Sequence, residues 1–287
     1  MRSLTIPVTA LAALTIAAPA MFAQWADYPT PGPRTKDGKI DLAAPPPKTA
    51  DGHPDFSGLW EPAHEAGARG GINFNGTKPL PFPIPASPGD PPVAQFFNIG
   101  AGLKDGLPMT PWAKEVRAKR VADNNKDNPD AHCLPLGLTQ LHMHPQPRKV
   151  IQTSREIVIM YEANGNTRQI LMDGRPLPTN DPTPWWYGYS VGHWEGDTLV
   201  VETTGFRDDV WLDVEGSPLT HTGKMTERWR RPKFGLMQID ITIEDPKAYT
   251  KPFTVRVNHQ LMPDTELMEF VCQDRDAAHY VGQDSAK

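Results

Sequence analysis

The sequence predicts an all-β fold, mainly antiparallel, closed or partly closed into a β-barrel that is lipocalin-like in outline. Three observations carry this expectation. From about Lys149 onward apolar residues alternate with polar ones, which is the strand period. Short turns rich in Gly, Asn, Asp and Pro separate the apolar runs. No alternation of strand-like and helix-like segments exists to build a doubly wound sheet. About nine sequential strands must hide their edges, so closure is the leading solution and a sandwich the runner-up.

Residues 1–23 read as a signal peptide. Arg2 is a short positive region, residues 4–18 are apolar and uncharged, and small residues offer cleavage at Ala18-Pro19-Ala20 or after Ala23. The expected destination is the periplasm or the exterior, with no membrane insertion after cleavage; a retained anchor is the alternative. Cleavage after Ala23 leaves 264 of 287 residues and removes one of 29 basic residues, so 28 stand against 34 acidic ones. The signs are mixed and the one basic cluster is Arg228, Arg230, Arg231, so nucleic acid is excluded as a partner.

Of 32 prolines, 17 fall in the first 100 residues, which predicts a Pro-rich extended arm over 24–100 with one early strand at 56–61. The arm is either a disordered lead-in or a wrap anchored by Phe82, Phe96 and Phe97. A short helix and a loop follow over 101–148: Thr110 caps, Pro111 takes the first helical position, and the helix runs to Val121. The barrel domain spans 149–287 and packs with 55–148 as a single domain. Its strands are expected at 157–161, 169–173, 187–194, 198–204, 225–231, 237–244, 253–261 and 267–272, with hairpin turns at Asn164-Gly165 and Glu195-Gly196-Asp197. Cys133 and Cys272, the only two cysteines, predict one disulfide in an oxidising compartment; two buried thiols are the other reading.

Strand parity selects the candidate interior residues. His221, Gly223, Met225, Glu227 and Trp229 share one face, Tyr187, Tyr189, Val191 and His193 another, and Phe253, Val255, Val257, His259 and Leu261 a third. A carboxylate on an apolar face is either ion-paired or part of a site, and a histidine there is a bonded core residue or a catalyst. The catalytic candidates are His221, Glu227, His193 and Arg175. The ligand-binding candidates are Trp185, Trp186, Tyr189, Trp229 and His259, with the Asp173-Gly174-Arg175 turn and the Trp185-Trp186 pair as a rim. His142 and His144, if extended, project from one side and offer a divalent metal site, against the reading that such spacing arises by chance. Ser190 sits in YGYSVG, which has G-x-S-x-G spacing but is not read as a nucleophile elbow, and no zincin helix, phosphate loop or dinucleotide loop occurs in the chain.

These features fit three functions. The first is a small-molecule-binding barrel taking an apolar or aromatic ligand in its interior. The second is a hydrolase, lyase or isomerase using His/Glu acid–base chemistry, with or without a metal. The third is a structural or assembly component of the cell envelope. The runs FSGLWEP at 56–62, DGR at 173–175, WEGDTLVV at 194–201, TER at 226–228 and IEDPKAYTKP at 243–252 resemble a large family of exported bacterial proteins of uncharacterised activity. The resemblance covers most of the chain after Phe56. It implies export and assigns no catalytic residue. A histidine before the TER run, here His221, fits the family pattern, whereas the His142/His144 pair departs from it.

Overall fold

The computed structural model describes residues 28–63, 78–179 and 183–272. Among them nine strands close into one barrel in chain order. They are β1 (Gly58–Pro62), β2 (Arg148–Gln152), β3 (Glu156–Tyr161), β4 (Thr167–Leu171), β5 (Tyr189–Glu195), β6 (Thr198–Thr204), β7 (Lys224–Lys233), β8 (Leu236–Glu244) and β9 (Phe253–Leu261). Helices α1 (Pro111–Ala122) and α2 (Leu138–Met143) lie between β1 and β2 in sequence. The expected signal peptide, residues 1–23, lies outside the described residues.

All neighbouring strands are antiparallel except β4 and β5, which run parallel through two register pairs, Ile170 with Ser190 and Leu171 with Val191. The tight connection expected there is instead a long crossover from Leu171 to Tyr189, because a parallel pair cannot be joined by a hairpin. The sheet is therefore mixed. A second correction concerns 267–272, which is not a strand. Its place is taken by β2, and since β1 already pairs with both β2 and β9, no barrel edge is left for another strand.

Alternation along each strand fills the lumen. Met225, Glu227 and Trp229 of β7 face inward beside Ile243, Ile241 and Ile239 of β8, and Phe253, Val255, Val257, His259 and Leu261 of β9 continue the layer. On β5 the inward residues are Ser190, Gly192 and Trp194, paired with Thr203, Val201 and Leu199. Gly192 leaves room there for the Met172 side chain, whose sulfur lies 2.4 Å from where a Cβ would stand.

Both ends of the lumen are covered. At one end Phe56 is fully buried, edge-on to Trp229 at 5.7 Å, and His53 stacks flat on Trp194 at 4.3 Å. At the other end every residue of α2 is buried. Its approach is close: a Cβ on Gly137 would lie 2.1 Å from the Trp211 carbonyl oxygen, and Thr139 Oγ1 donates to the Leu212 carbonyl at 2.6 Å. Helix α1 forms as its sequence dictates, with Thr110 Oγ1 accepting from the Ala113 N–H at 3.2 Å and Pro111 in the first turn. Beyond the reach of β1, the β9 backbone is met by residues 92–94: Ala94 N–H donates to the Arg256 carbonyl and Arg256 N–H to that of Pro92, both at 2.8 Å. The disulfide joins Cys133 to Cys272, with Cα atoms 5.6 Å apart.

Candidate functional site

The middle of the lumen is polar. Glu227 Oε1 accepts from His142 Nε2 at 2.8 Å, from Arg168 Nη1 at 3.1 Å and from Trp229 Nε1 at 3.3 Å. Its Oε2 accepts from Arg168 Nη2. That guanidinium also donates to Ser190 Oγ and Thr203 Oγ1, each at 3.1 Å, which ties β4 to β5 and β6. A second arginine, Arg148, donates through Nη1 to the His142 carbonyl at 2.7 Å and through Nη2 to the His144 carbonyl at 3.0 Å, and His259 Nε2 lies 2.7 Å from that same His142 carbonyl and 2.6 Å from Arg148 Nη1. All five charged or titratable side chains are at most 2% exposed.

Burial at this depth favours neutral forms, and only close partners oppose it. Burial pushes the Glu227 carboxyl up, but Arg168 and His142 outweigh it and hold the group down to about 2. Burial lowers His142, against the pull of Glu227 and helped by Arg168 and Arg148. Burial, Arg148 and His142 together push His259 well below the ordinary histidine range. Both imidazoles are therefore neutral and Glu227 is ionised. Since a carboxylate only accepts, His142 carries its proton on Nε2 and keeps a bare lone pair on Nδ1, an atom with no hydrogen-bond partner.

The structure brings Glu227, Trp229 and His259 of the sequence candidates together, with His142. It separates the rest. His193 is 51% exposed beside Glu195, because the inward parity on β5 belongs to Ser190, Gly192 and Trp194 rather than to Tyr189, Val191 and His193. His221 is 54% exposed in a turn before β7, bonded to Asp208. His142 and His144 do not project from one side: the segment is α2 and its C-cap rather than a strand, so His142 enters the lumen while His144 meets the edge of Phe96. Among the described residues no group of three or more His, Cys, Asp and Glu side chains gathers to hold a metal.

The residues expected to form a rim do not line the cleft described below. Arg175 pairs with Asp173 and reaches Tyr189 Oη at 3.3 Å, Trp185 lies 6.1 Å from Tyr189, and Trp186 sits under Arg207. Sequence reasoning missed Arg148, Arg168, Tyr161 and Thr203. Parity within RKVIQ and TRQIL places both arginines on the faces of Val150 and Ile170, a signal hidden by reading arginine as solvent-facing.

A cleft of about 710 Å³ opens elsewhere, on the flank where β1, β9 and the β7–β8 turn meet. Tyr28, Pro31, Leu59, Phe234, Leu261 and Met262 form its apolar walls. Its polar contributors are already engaged: Lys149 Nζ bonds Glu266 at 2.7 Å, and Arg231 donates to the Asp55 and Phe234 carbonyls. Comparison of the chain with protein-family models, with curated proteins and with solved structures gave no match.

Proposed function

We propose that the protein is an exported, lipocalin-like carrier or receptor of a small apolar or aromatic molecule. The observation that carries this reading is the flank cleft, whose volume of about 710 Å³ lies in the range of ligand sites and whose walls are aliphatic, aromatic and proline side chains. The barrel supplies a rigid frame for it, and the Pro-rich arm supplies one wall through Tyr28, Pro29, Pro31 and Pro33. The runs that resemble the exported bacterial family fall in the barrel frame: WEGDTLVV lies in the β5–β6 hairpin and TER carries Glu227.

Titration with the neutral fluorescent probe N-phenyl-1-naphthylamine tests the proposal. Saturable binding is expected, weakened by about ten-fold or more in Thr265→Trp, which fills the rim of the cleft. Unsaturable binding, or equal binding by the variant at an unchanged melting temperature, would refute it.

Acid–base catalysis is the second reading, favoured by the oriented His142–Glu227 pair and its unpartnered Nδ1. His142→Gln would then abolish turnover of a substrate found by screening while leaving probe binding intact. Turnover that survives the substitution rules this reading out.

A further inference from the structure

The Pro-rich arm is fixed to the barrel unequally along its length. Its inner end is pinned to the β7–β8 turn: the Phe234 N–H donates to the Ala44 carbonyl at 2.8 Å, the Gly235 N–H donates to that of Leu42 at 2.9 Å, and Ile40 is buried. The outer end, residues 28–34, is exposed except for a half-buried Thr30. Yet this outer stretch walls the flank cleft, which Tyr28, Pro29, Thr30, Pro31, Gly32 and Pro33 all line. Three prolines in five residues stiffen it, so it moves as a unit rather than crumpling. Gly32, at φ +152°, lets it lie flush on the Phe234 ring, where a Cβ would collide.

Asp264 holds the outer end down. The Thr30 N–H donates to Asp264 Oδ1 at 2.8 Å, and the Asp264 N–H donates to Thr30 Oγ1 at 2.7 Å. Arg34 Nη2 reaches both Asp264 Oδ1 and the Thr30 carbonyl at 3.3 Å. Asp264 stands at φ +56° in the turn after β9, next to Met262, Thr265 and Glu266, which line the cleft from that side. One residue thus fastens the arm to the β9 side of the cleft. The fastening is built to part, because the Arg34 and Asp264 side chains are 37% and 47% exposed and water competes for their bonds.

We propose that residues 28–34 form a strap that gates the flank cleft, hinged at Phe234 and Gly235 and latched by Asp264. A ligand enters and leaves when Thr30 and Asp264 part. The proposal rests on the reading of the cleft as the ligand site. Such a gate governs rates: the ligand is held with the strap closed, so loosening the latch quickens entry and exit together and changes affinity little.

Asp264→Gly in the full mature chain tests it. The substitution removes the carboxylate, keeps a backbone suited to φ +56°, and touches no residue that lines the cleft. Amide order parameters at Gly32 and Arg34 should fall from about 0.85 in wild type to below about 0.6 in the variant, while those at Leu42 and Ala44 hold and certify the fold. Stopped-flow mixing with N-phenyl-1-naphthylamine should show association and dissociation both faster by roughly ten-fold, with the dissociation constant within about two-fold of wild type. Asp264→Asn keeps an acceptor oxygen and tolerates the same backbone, so it should stay near wild type in both readouts. An arm already flexible in wild type, or equally rigid in Asp264→Gly, overturns the latch. A loosened arm with unaltered probe rates overturns the gate. A wild type that binds no probe saturably overturns the cleft reading and the gate with it, while the order parameters still decide whether Asp264 holds the arm.

Discussion

At Glu227 a fully buried carboxylate survives because Arg168, His142 and Trp229 all donate to it. Its folded pKa of about 2 lies below the ordinary value of 4.5, so it contributes stability that is complete above pH 4.5 and lost as pH falls toward 2. His142 and His259 are also lowered in the fold, so the unfolded chain binds their protons first and stability falls as pH drops below about 6.5. Both effects have one sign, and urea unfolding should show stability declining in two stages on acidification. The slope between pH 7.5 and 5.5 should be shallower in His142→Gln, whatever that variant's absolute stability. Glu227→Gln leaves the Arg168 guanidinium buried without its counter-ion and should cost about 3 to 5 kcal/mol by the same assay. Parity made Glu227, Trp229 and His259 legible in the sequence. It failed at His193 because the inward face of β5 is built of Ser190 and Gly192, small residues that read as exposed.

Among the elements, the parallel β4–β5 contact is the weakest seam, with two register pairs against seven between β5 and β6. Arg168 clips it from inside by bonding Ser190 and Thr203. Amide hydrogen exchange should therefore open at Ile170 and Val191 before it opens along β8, and Arg168→Met should widen that difference. The cap of α1 is a local term: Thr110→Ala should cost about 1 kcal/mol, read by thermal melting. This helix was legible because cap, proline and breaker lie in sequence order. Helix α2 was not, since the seven residues between Gly137 and Pro145 carry no period, and tertiary contacts from Thr139, Gln140 and His142 decide its shape.

Across the whole molecule, the disulfide spans a sequence separation of 139 and fastens the segment after β9 to the turn before α2. Chain-entropy reasoning gives its loss as about 4 to 5 kcal/mol, so the Cys133→Ser, Cys272→Ser variant should lower the urea-derived stability by that order. Closure was readable from strand number and edge avoidance alone. The identity of the closing partner was not, because β1 stands far from β2 in the chain and its pairing with β9 leaves no local mark.

That pairing sets a timetable. Trp60 of β1 meets Leu261 of β9 across a separation of 201 residues, and β2 does not arrive until Arg148. During synthesis β1 therefore stands alone until β2 arrives, and its other edge stays bare until β9 has emerged. Strands of this topology can add one by one in chain order, but closure waits for β9. The barrel is finished in one late step, with the slow folding that long-range contacts impose, and the nascent chain needs shielding against self-association until Leu261 has emerged.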